Sequence, residues 1–442
     1  MKVSPTRRQQ ARWGCGVTSE VLLMNLEAVV LGADSAVTIT GAERGRFSQS
    51  GIEKIFLINE AGPVAAMVYG GGSYAGLPWK TVLGQFRDYC GEPLLTIEDY
   101  SERLISYLAD IGEHTNVGLN ENYEILNFHR YIDDFVQDYA LWLFAAGWRP
   151  GAPVPEDLAK LALRHYENEV LLDPNLDSDD DLAGPTPRPR AEPTDRLVEF
   201  VSTHLGDAIK AAMGRKFEGA PFPESCVEPL IKLSVASMLV DWLPDSSAST
   251  GLVLTGFGAH QPLPGVFSFR FIGAFGGMLK SHRSMARRPR PTVNPVIFHS
   301  YAQDDLIRGF IYGAIPEFEY HVRHATIDYL TRTFATVISA VRDTNAKLGE
   351  EVAALLDDVP RIAPFIGLTA ARDQRSNHVF ETLWPSLDSA NADVLASHAL
   401  KLMELTVLEH ELLSEPSVAR PIWVLAMERG RHTWSKDGNK LP

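Results

Sequence analysis

What most constrains this chain is that its short apolar runs come in pairs, set too close together for anything but a tight turn between them. Val21 to Met24 and Ala28 to Leu31 are separated only by Asn25-Leu26-Glu27. Ile55 to Ile58 and Val64 to Val68 repeat the arrangement, and the second run stops at Gly70-Gly71-Gly72. Runs of this length, bounded by turn residues, predict buried strands joined as hairpins. A polar loop from Gly41 (GAERGRFSQSG) lies between the two pairs.

Beyond Tyr74 the apolar spacing becomes helical. Leu77, Val82, Leu83 and Phe86 recur on one face, as do Leu104, Ile105, Leu108 and Ile111, and helices are expected to about Trp242. Strand character returns at Gly251 to Gly258, Val266 to Ile272 and Pro295 to His299. A long amphipathic pattern from Phe318 to about Leu356 and a second helix from Asn391 to Leu413 precede two closing strands, Ile422 to Met427 and Arg431 to Trp434. The order is strands, helices, strands, helices, strands. Antiparallel sheets covered by helices satisfy it, whereas a doubly wound parallel sheet needs strand and helix to alternate throughout. The expected class is α+β.

At 442 residues the chain exceeds the roughly 100–200 residues of one domain, so it holds either two domains or one core with large insertions. No apolar run approaches the roughly 18–20 residues of a membrane span. A net charge of −15 opposes nucleic-acid phosphates and anionic lipid, and the basic stretch Arg283 to Arg290 reads as a solvated loop. Trp142, Trp148, Tyr139 and Phe144 read as a packing stripe. Cys15, Cys90 and Cys226 fit neither a disulfide framework nor a zinc site, which makes a reducing cytoplasm the simplest location. The histidines show no HExxH, and His321 and His324, which share a helix face, read as a polar stripe. No glycine-rich phosphate loop opens a helix. Neither a metal nor an organic cofactor is expected.

The segment from Thr18 to Thr38, TSEVLLMNLEAVVLGADSAVT, resembles the first hairpin of proteasome β-subunits and of the related bacterial ATP-dependent peptidase. In that family a strand begins with the nucleophilic threonine and returns through an apolar run to a small-small-Asp-Ser sequence. Here Val29-Val30-Leu31-Gly32-Ala33-Asp34-Ser35 is that return, and Asp34 lies sixteen positions beyond Thr18, the family's spacing. Lys54 in EKIFLI matches the lysine that opens the family's third strand. Gly70 and Gly71 match the glycine-rich stop whose backbone N–H forms the oxyanion hole. GLVLTGFG, VFSFRFIG and IFHSYAQ resemble the two middle strands and the serine-containing loop after them, which makes Ser300 the candidate hydroxyl beside the catalytic amine. The closing SVARPIWVLAM departs from the pattern: Ala419-Arg420 stand where two glycines are usual, and Glu415 where an aspartate is expected.

The resemblance implies the four-layer αββα sandwich of the N-terminal-nucleophile (Ntn) hydrolases, with large helical insertions. On it the chain divides into an extension, 1–17, and a first core part, 18–92. A mostly helical insertion, 93–223, follows and contains a flexible acidic and proline-rich loop, 173–195, too poor in large apolar side chains to repay its ordering. Then come a middle core part, 224–316, a second helical insertion, 317–385, the end of the core, 386–435, and a tail, 436–442. The implied catalytic set is Thr18, Asp34, Lys54, Gly70, Gly71 and Ser300. The implied function is a threonine-type hydrolase of peptide or amide bonds, with a homo-oligomer, as a ring, the family's arrangement and a separate unfoldase a further partner. A small-molecule amidase or acylase on the same fold and a non-catalytic assembly subunit are the alternatives.

The chemistry explains the residue types. A threonine hydroxyl is a weak nucleophile, but an N-terminal threonine carries its own base, an α-amino group of pKa about 7.7–8.0. A lysine ammonium favours the alkoxide-like form, and an aspartate holds that lysine because a lone buried charge is expensive. Taken singly the residues have bland readings: Thr18 as a strand start, Asp34 as an Asx-turn with Ser35, Lys54 as an edge charge, Ser300 as a helix N-cap ahead of Asp304. The mechanism also requires Thr18 to begin the chain. Gly16 is one position early for the family's self-cleavage after glycine, whereas Val17 read from a GUG codon as an initiator methionine, then removed, exposes Thr18 directly. Residues 1–17, without an apolar h-region, form no secretory signal and read as translated leader.

Overall fold

The computed structural model describes residues 19–41, 45–49, 52–119, 121–145, 147–173, 186–187, 191–217, 219–244, 249–292, 295–302, 307, 309, 316–356, 381, 383–412 and 418–441. The first half of these residues carries β1 (Ser19–Met24), β2 (Ala28–Ala33), β3 (Val37–Gly41), β4 (Gly45–Gln49), β5 (Ile55–Asn59), β6 (Val64–Tyr69), β7 (Ser73–Tyr74) and β8 (Leu77–Pro78), then α1 (Trp79–Cys90), α2 (Ile97–Leu119), α3 (Glu121–Ala145) and α4 (Glu156–Leu171). After β9 (Leu172–Asp173) and β10 (Thr186–Pro187) come α5 (Asp195–Lys216) and α6 (Glu224–Met238). Next are β11 (Thr250–Gly256), β12 (Gly265–Phe275), β13 (Met278–Arg287) and β14 (Ile297–Ala302). The chain closes with α7 (Pro316–Thr344), α8 (Ala346–Leu356), α9 (Ala392–Leu412), β15 (Trp423–Glu428), β16 (Arg431–Lys436) and β17 (Asn439–Lys440).

The class is α+β, with two antiparallel sheets. One is six-stranded in the order β14-β1-β2-β15-β16-β17, the other five-stranded in the order β13-β12-β11-β6-β5. Both expected hairpins, β1–β2 and β5–β6, are present. They read as unbroken apolar runs because both faces of the central strands are covered. Along β1, Leu22 and Met24 point between the sheets, where they meet Leu31, Ala65, Met67 and Val253. Val21 and Leu23 point the other way, onto Leu395, Ala399 and Met403 of α9. Val64, Ala66, Leu252 and Leu254 of the second sheet turn outward onto α1 and α2 through Val82, Leu83, Phe86 and Leu104. A further core joins α3 to α6 around Phe135, Tyr139 and Leu230, and Ile272 and Phe275 of β12 reach into it.

Three expectations are corrected. Of the basic stretch read as a loop, Arg283 to Arg287 is the second half of β13, which pairs with β12 across Gly276-Gly277. Both glycines have positive φ, +58° and +74°, which a two-residue hairpin turn of this hand demands. Within the polar segment from Gly41, Gly45–Gln49 is strand β4, paired antiparallel with β3. The single long helix from Phe318 is two, because the Asn345 side chain accepts from the Leu348 N–H at 3.2 Å and caps a new helix. In the aromatic stripe, Tyr139 and Trp148 are buried, but Phe144 is 42% exposed. Of the expected loop 173–195, residues 174–185 and 188–190 lie outside the described residues, as does the extension 1–17. Among the described residues no helix is long and apolar enough to cross a membrane.

Candidate active site

The β1–β2 register sets Glu20 opposite Ala33, so Asp34, the next residue, emerges beside Ser19. Asp34 is fully buried and saturated with donors. Its Oδ1 accepts from the Ser19 N–H at 3.0 Å and from Lys54 Nζ at 2.5 Å. Its Oδ2 accepts from the N–H groups of Ala36 at 2.9 Å and Ala419 at 3.2 Å. Lys54 comes from the other sheet. It stands just before β5, and its carbonyl accepts from the Val68 N–H at 2.9 Å, which fixes the stem while the ammonium crosses to the first sheet.

Lys54 Nζ is also 3.3 Å from Glu20 Oε1. The two carboxylates are fully buried and the lysine nearly so, at 5% exposed. A buried ion group of this kind holds only if each charge is answered, because desolvation costs several kcal/mol per ion. The charge-assisted bond to Asp34 is shorter than the roughly 2.7–2.9 Å usual between an ammonium and a carboxylate. Glu20 is the residue that sequence reasoning missed. Its signal was a charged residue directly ahead of the apolar run Val21 to Met24 in a strand buried throughout, where a carboxylate is unfavourable unless it has a partner.

The other expected residues fall as follows. Thr18 lies outside the described residues and is bonded to Ser19, whose N–H Asp34 holds. Gly70 and Gly71 follow β6, close to the Val68 that pairs with Lys54. Both are required by packing: a Cβ on Gly70, at φ +81°, would meet the Ser249 carbonyl at 2.8 Å, and one on Gly71 would meet Thr250 Oγ1 at 2.3 Å. Ser300 stands within β14 rather than in a loop, opposite Val21. It therefore shares the face of Val21, toward α9, and not the face of Glu20, whose partner in register is Tyr301. The helix-cap reading of Ser300 falls with this placement, and Asp304 and Glu415 lie outside the described residues. Ala419, standing where a glycine was expected, supplies the backbone donor that closes around Asp34.

A cavity of about 460 Å³ adjoins Lys54 and is lined by Phe56, Leu83, Arg87, Trp423 and Trp434 among others. A larger apolar groove of about 550 Å³ between α5 and α6 is lined by none of the residues around Lys54. Among the described residues no group of three or more His, Cys, Asp or Glu is placed to hold a metal. No protein-family model matches the chain, and no curated protein matches it.

Proposed function

We propose that the chain is an Ntn hydrolase of the kind that proteasome β-subunits represent, cutting peptide or amide bonds with Thr18 as nucleophile. The observation that carries this reading is the buried Asp34–Lys54 pair, built at the point where the first strand begins. Successive Cα atoms are about 3.8 Å apart, so Thr18 is within one residue's length of a backbone N–H that Asp34 already holds. Two antiparallel sheets with helices on both outer sides agree with the αββα sandwich of that family.

In this reading the free α-amino group of Thr18 takes the hydroxyl proton, directly or through water, as Oγ1 bonds the substrate carbonyl carbon. The electron pair of the C=O moves onto oxygen, where N–H groups at Gly70 or Gly71 stabilise it, by about 2.7–4 kcal/mol per donor. Lys54 stabilises the alkoxide-like oxygen, and Asp34 holds Lys54. Collapse expels the amine, which takes the proton from the α-ammonium. Water then adds to the ester through the same base, releasing the acid and restoring Thr18.

The cavity beside Lys54 favours a second reading of the substrate, since its volume falls in the range of small-ligand sites, about 300–1,000 Å³. An amidase or acylase with the same nucleophile would place its acyl group there. Self-association through helical faces goes with the first reading, and a monomeric mass by light scattering at micromolar concentration counts against it.

The deciding experiment is intact-mass analysis of protein from its native host, before and after reaction with a β-lactone that acylates nucleophilic hydroxyls. The expected result is a chain that begins at Thr18 and gains one probe mass there, with no gain in Thr18→Ala. An active enzyme that retains residues 1–17 would defeat the proposal.

A further inference from the structure

The structure points to a role for Glu20: we propose that it is a positioning residue that, with Asp34, clamps the Lys54 ammonium onto the strand that carries the nucleophile. As a contribution to catalysis this rests on the Thr18 reading above. The clamp itself stands on geometry.

Asp34 alone is enough to pair Lys54, since it has the shorter contact, 2.5 Å, and lies fully buried beside it. A second fully buried carboxylate at 3.3 Å is therefore not needed for pairing, and burying it carries its own desolvation penalty. What it adds is direction. A lysine ammonium is a compact charge on a flexible four-carbon stem. One anion fixes its distance, and two anions on different strands fix its position.

The two anions belong to the two strands of one hairpin. Asp34 follows β2, and Glu20 is the second residue of β1, two positions along the chain from Thr18. Lys54 itself directly precedes β5 of the other sheet. The clamp thus ties the sheet that supplies the cation to the strand that begins beside the nucleophile, and a shift of either sheet is resisted at the ammonium. A misplacement near 1 Å at a reacting centre costs on the order of 100-fold in rate, which is the scale on which such a tie matters.

The test uses the mature full chain with Glu20→Gln, which removes the charge and keeps the shape, and Glu20→Asp, which keeps the charge and shortens the reach. The first readout needs no activity: the ¹⁵N-detected ammonium signal of Lys54, identified by its loss in Lys54→Arg, and the rate at which its protons exchange with water. Wild type should show a slowly exchanging signal, and Glu20→Gln should exchange at least about tenfold faster. The second readout is acylation by the β-lactone, resolved into probe affinity and the rate of the bond-forming step. Glu20→Gln should slow that step about 10- to 100-fold with affinity unchanged, and Glu20→Asp should recover part of the loss. If Glu20→Gln does not fold, Glu20→Asp carries the test, with acylation slowed and affinity unchanged. A wild-type ammonium signal together with a wild-type acylation rate in the variants overturns the clamp and leaves the Thr18 reading intact. Faster exchange in Glu20→Gln, with a wild-type protein that resists the probe, upholds the clamp and overturns the Thr18 reading.

Discussion

Replacing Lys54 by Met is the harshest single change that the site offers, because it strands two buried carboxylates at once. Removing one partner of a buried ion group typically costs about 3–5 kcal/mol. Urea unfolding of Lys54→Met should show a loss of that order, and adding Glu20→Gln should return part of it, since the double variant buries one charge fewer. Full additivity of the two losses would deny the coupling. At this scale the sequence was partly legible. Asp34 is readable from its sixteen-position spacing beyond Thr18, and Lys54 from its place just ahead of an apolar strand run, although the loop before it is longer than in the proteins it resembles. Glu20 is not, because its partner comes from the other sheet and nothing local marks it except its oddness in an apolar strand. The face that Ser300 occupies depends on the β1–β14 register, which one residue of slip would reverse.

Among the elements, the β1–β2 turn is held by one side chain. Asn25, fully buried, accepts through Oδ1 from the N–H groups of Glu27 at 3.0 Å and Ala28 at 2.9 Å. Its Nδ2 donates to the carbonyls of Leu387 at 2.9 Å and Ala390 at 2.7 Å, just ahead of α9. Asn25→Ala leaves these buried groups without a partner and should cost about 2–4 kcal/mol, read as a lower urea midpoint at constant slope. A milder prediction concerns β13, where His282 Nδ1 lies 3.0 Å from Asp241 Oδ1. Burial raises the Asp241 carboxyl, but the hydrogen bond and charge of His282, with the Arg283 N–H and charge, outweigh it and hold the group below its usual range. A depressed folded pKa means stability that is present above the unfolded value, about 3.9, and is lost as pH falls through the folded one. Asp241→Asn should therefore be less stable than wild type at neutral pH, and the two should converge under acid. A constant gap down to pH 2 would contradict this. β13 itself escaped the sequence reading because its residues are mostly polar. Its place in the sheet comes from a glycine turn and from the buried Lys280, whose Nζ donates at 2.8 Å to the carbonyls of Ser237 and Val240, at and just beyond the end of α6. The hairpins were legible as short unbroken apolar runs bounded by turn residues, and α9 as an apolar-rich segment of helical length.

Across the whole molecule, the helical block of α3 to α6 is joined to the sheets chiefly through the end of β12. Phe275, fully buried, packs its ring against Phe128 at 5.5 Å and Tyr131 at 5.9 Å. Phe275→Ala should cost about 3–5 kcal/mol. Hydrogen exchange should place the loss first in α3 and α5, with β1 and β2 still protected, whereas uniform deprotection would mean that block and sheets form one cooperative unit. The closing of the first sheet has a consequence of another kind. β2 gains its second neighbour from β15, and Asp34 its fourth donor from Ala419. Both come from far along the chain, Ala419 lying 385 positions beyond Asp34. During synthesis the opening hairpin is made long before β15, and until β15 follows, one edge of β2 stays bare and Asp34 stays incompletely held. The full donor set around Asp34 is completed only after Ala419 has been made, so the order of translation sets when the site can close.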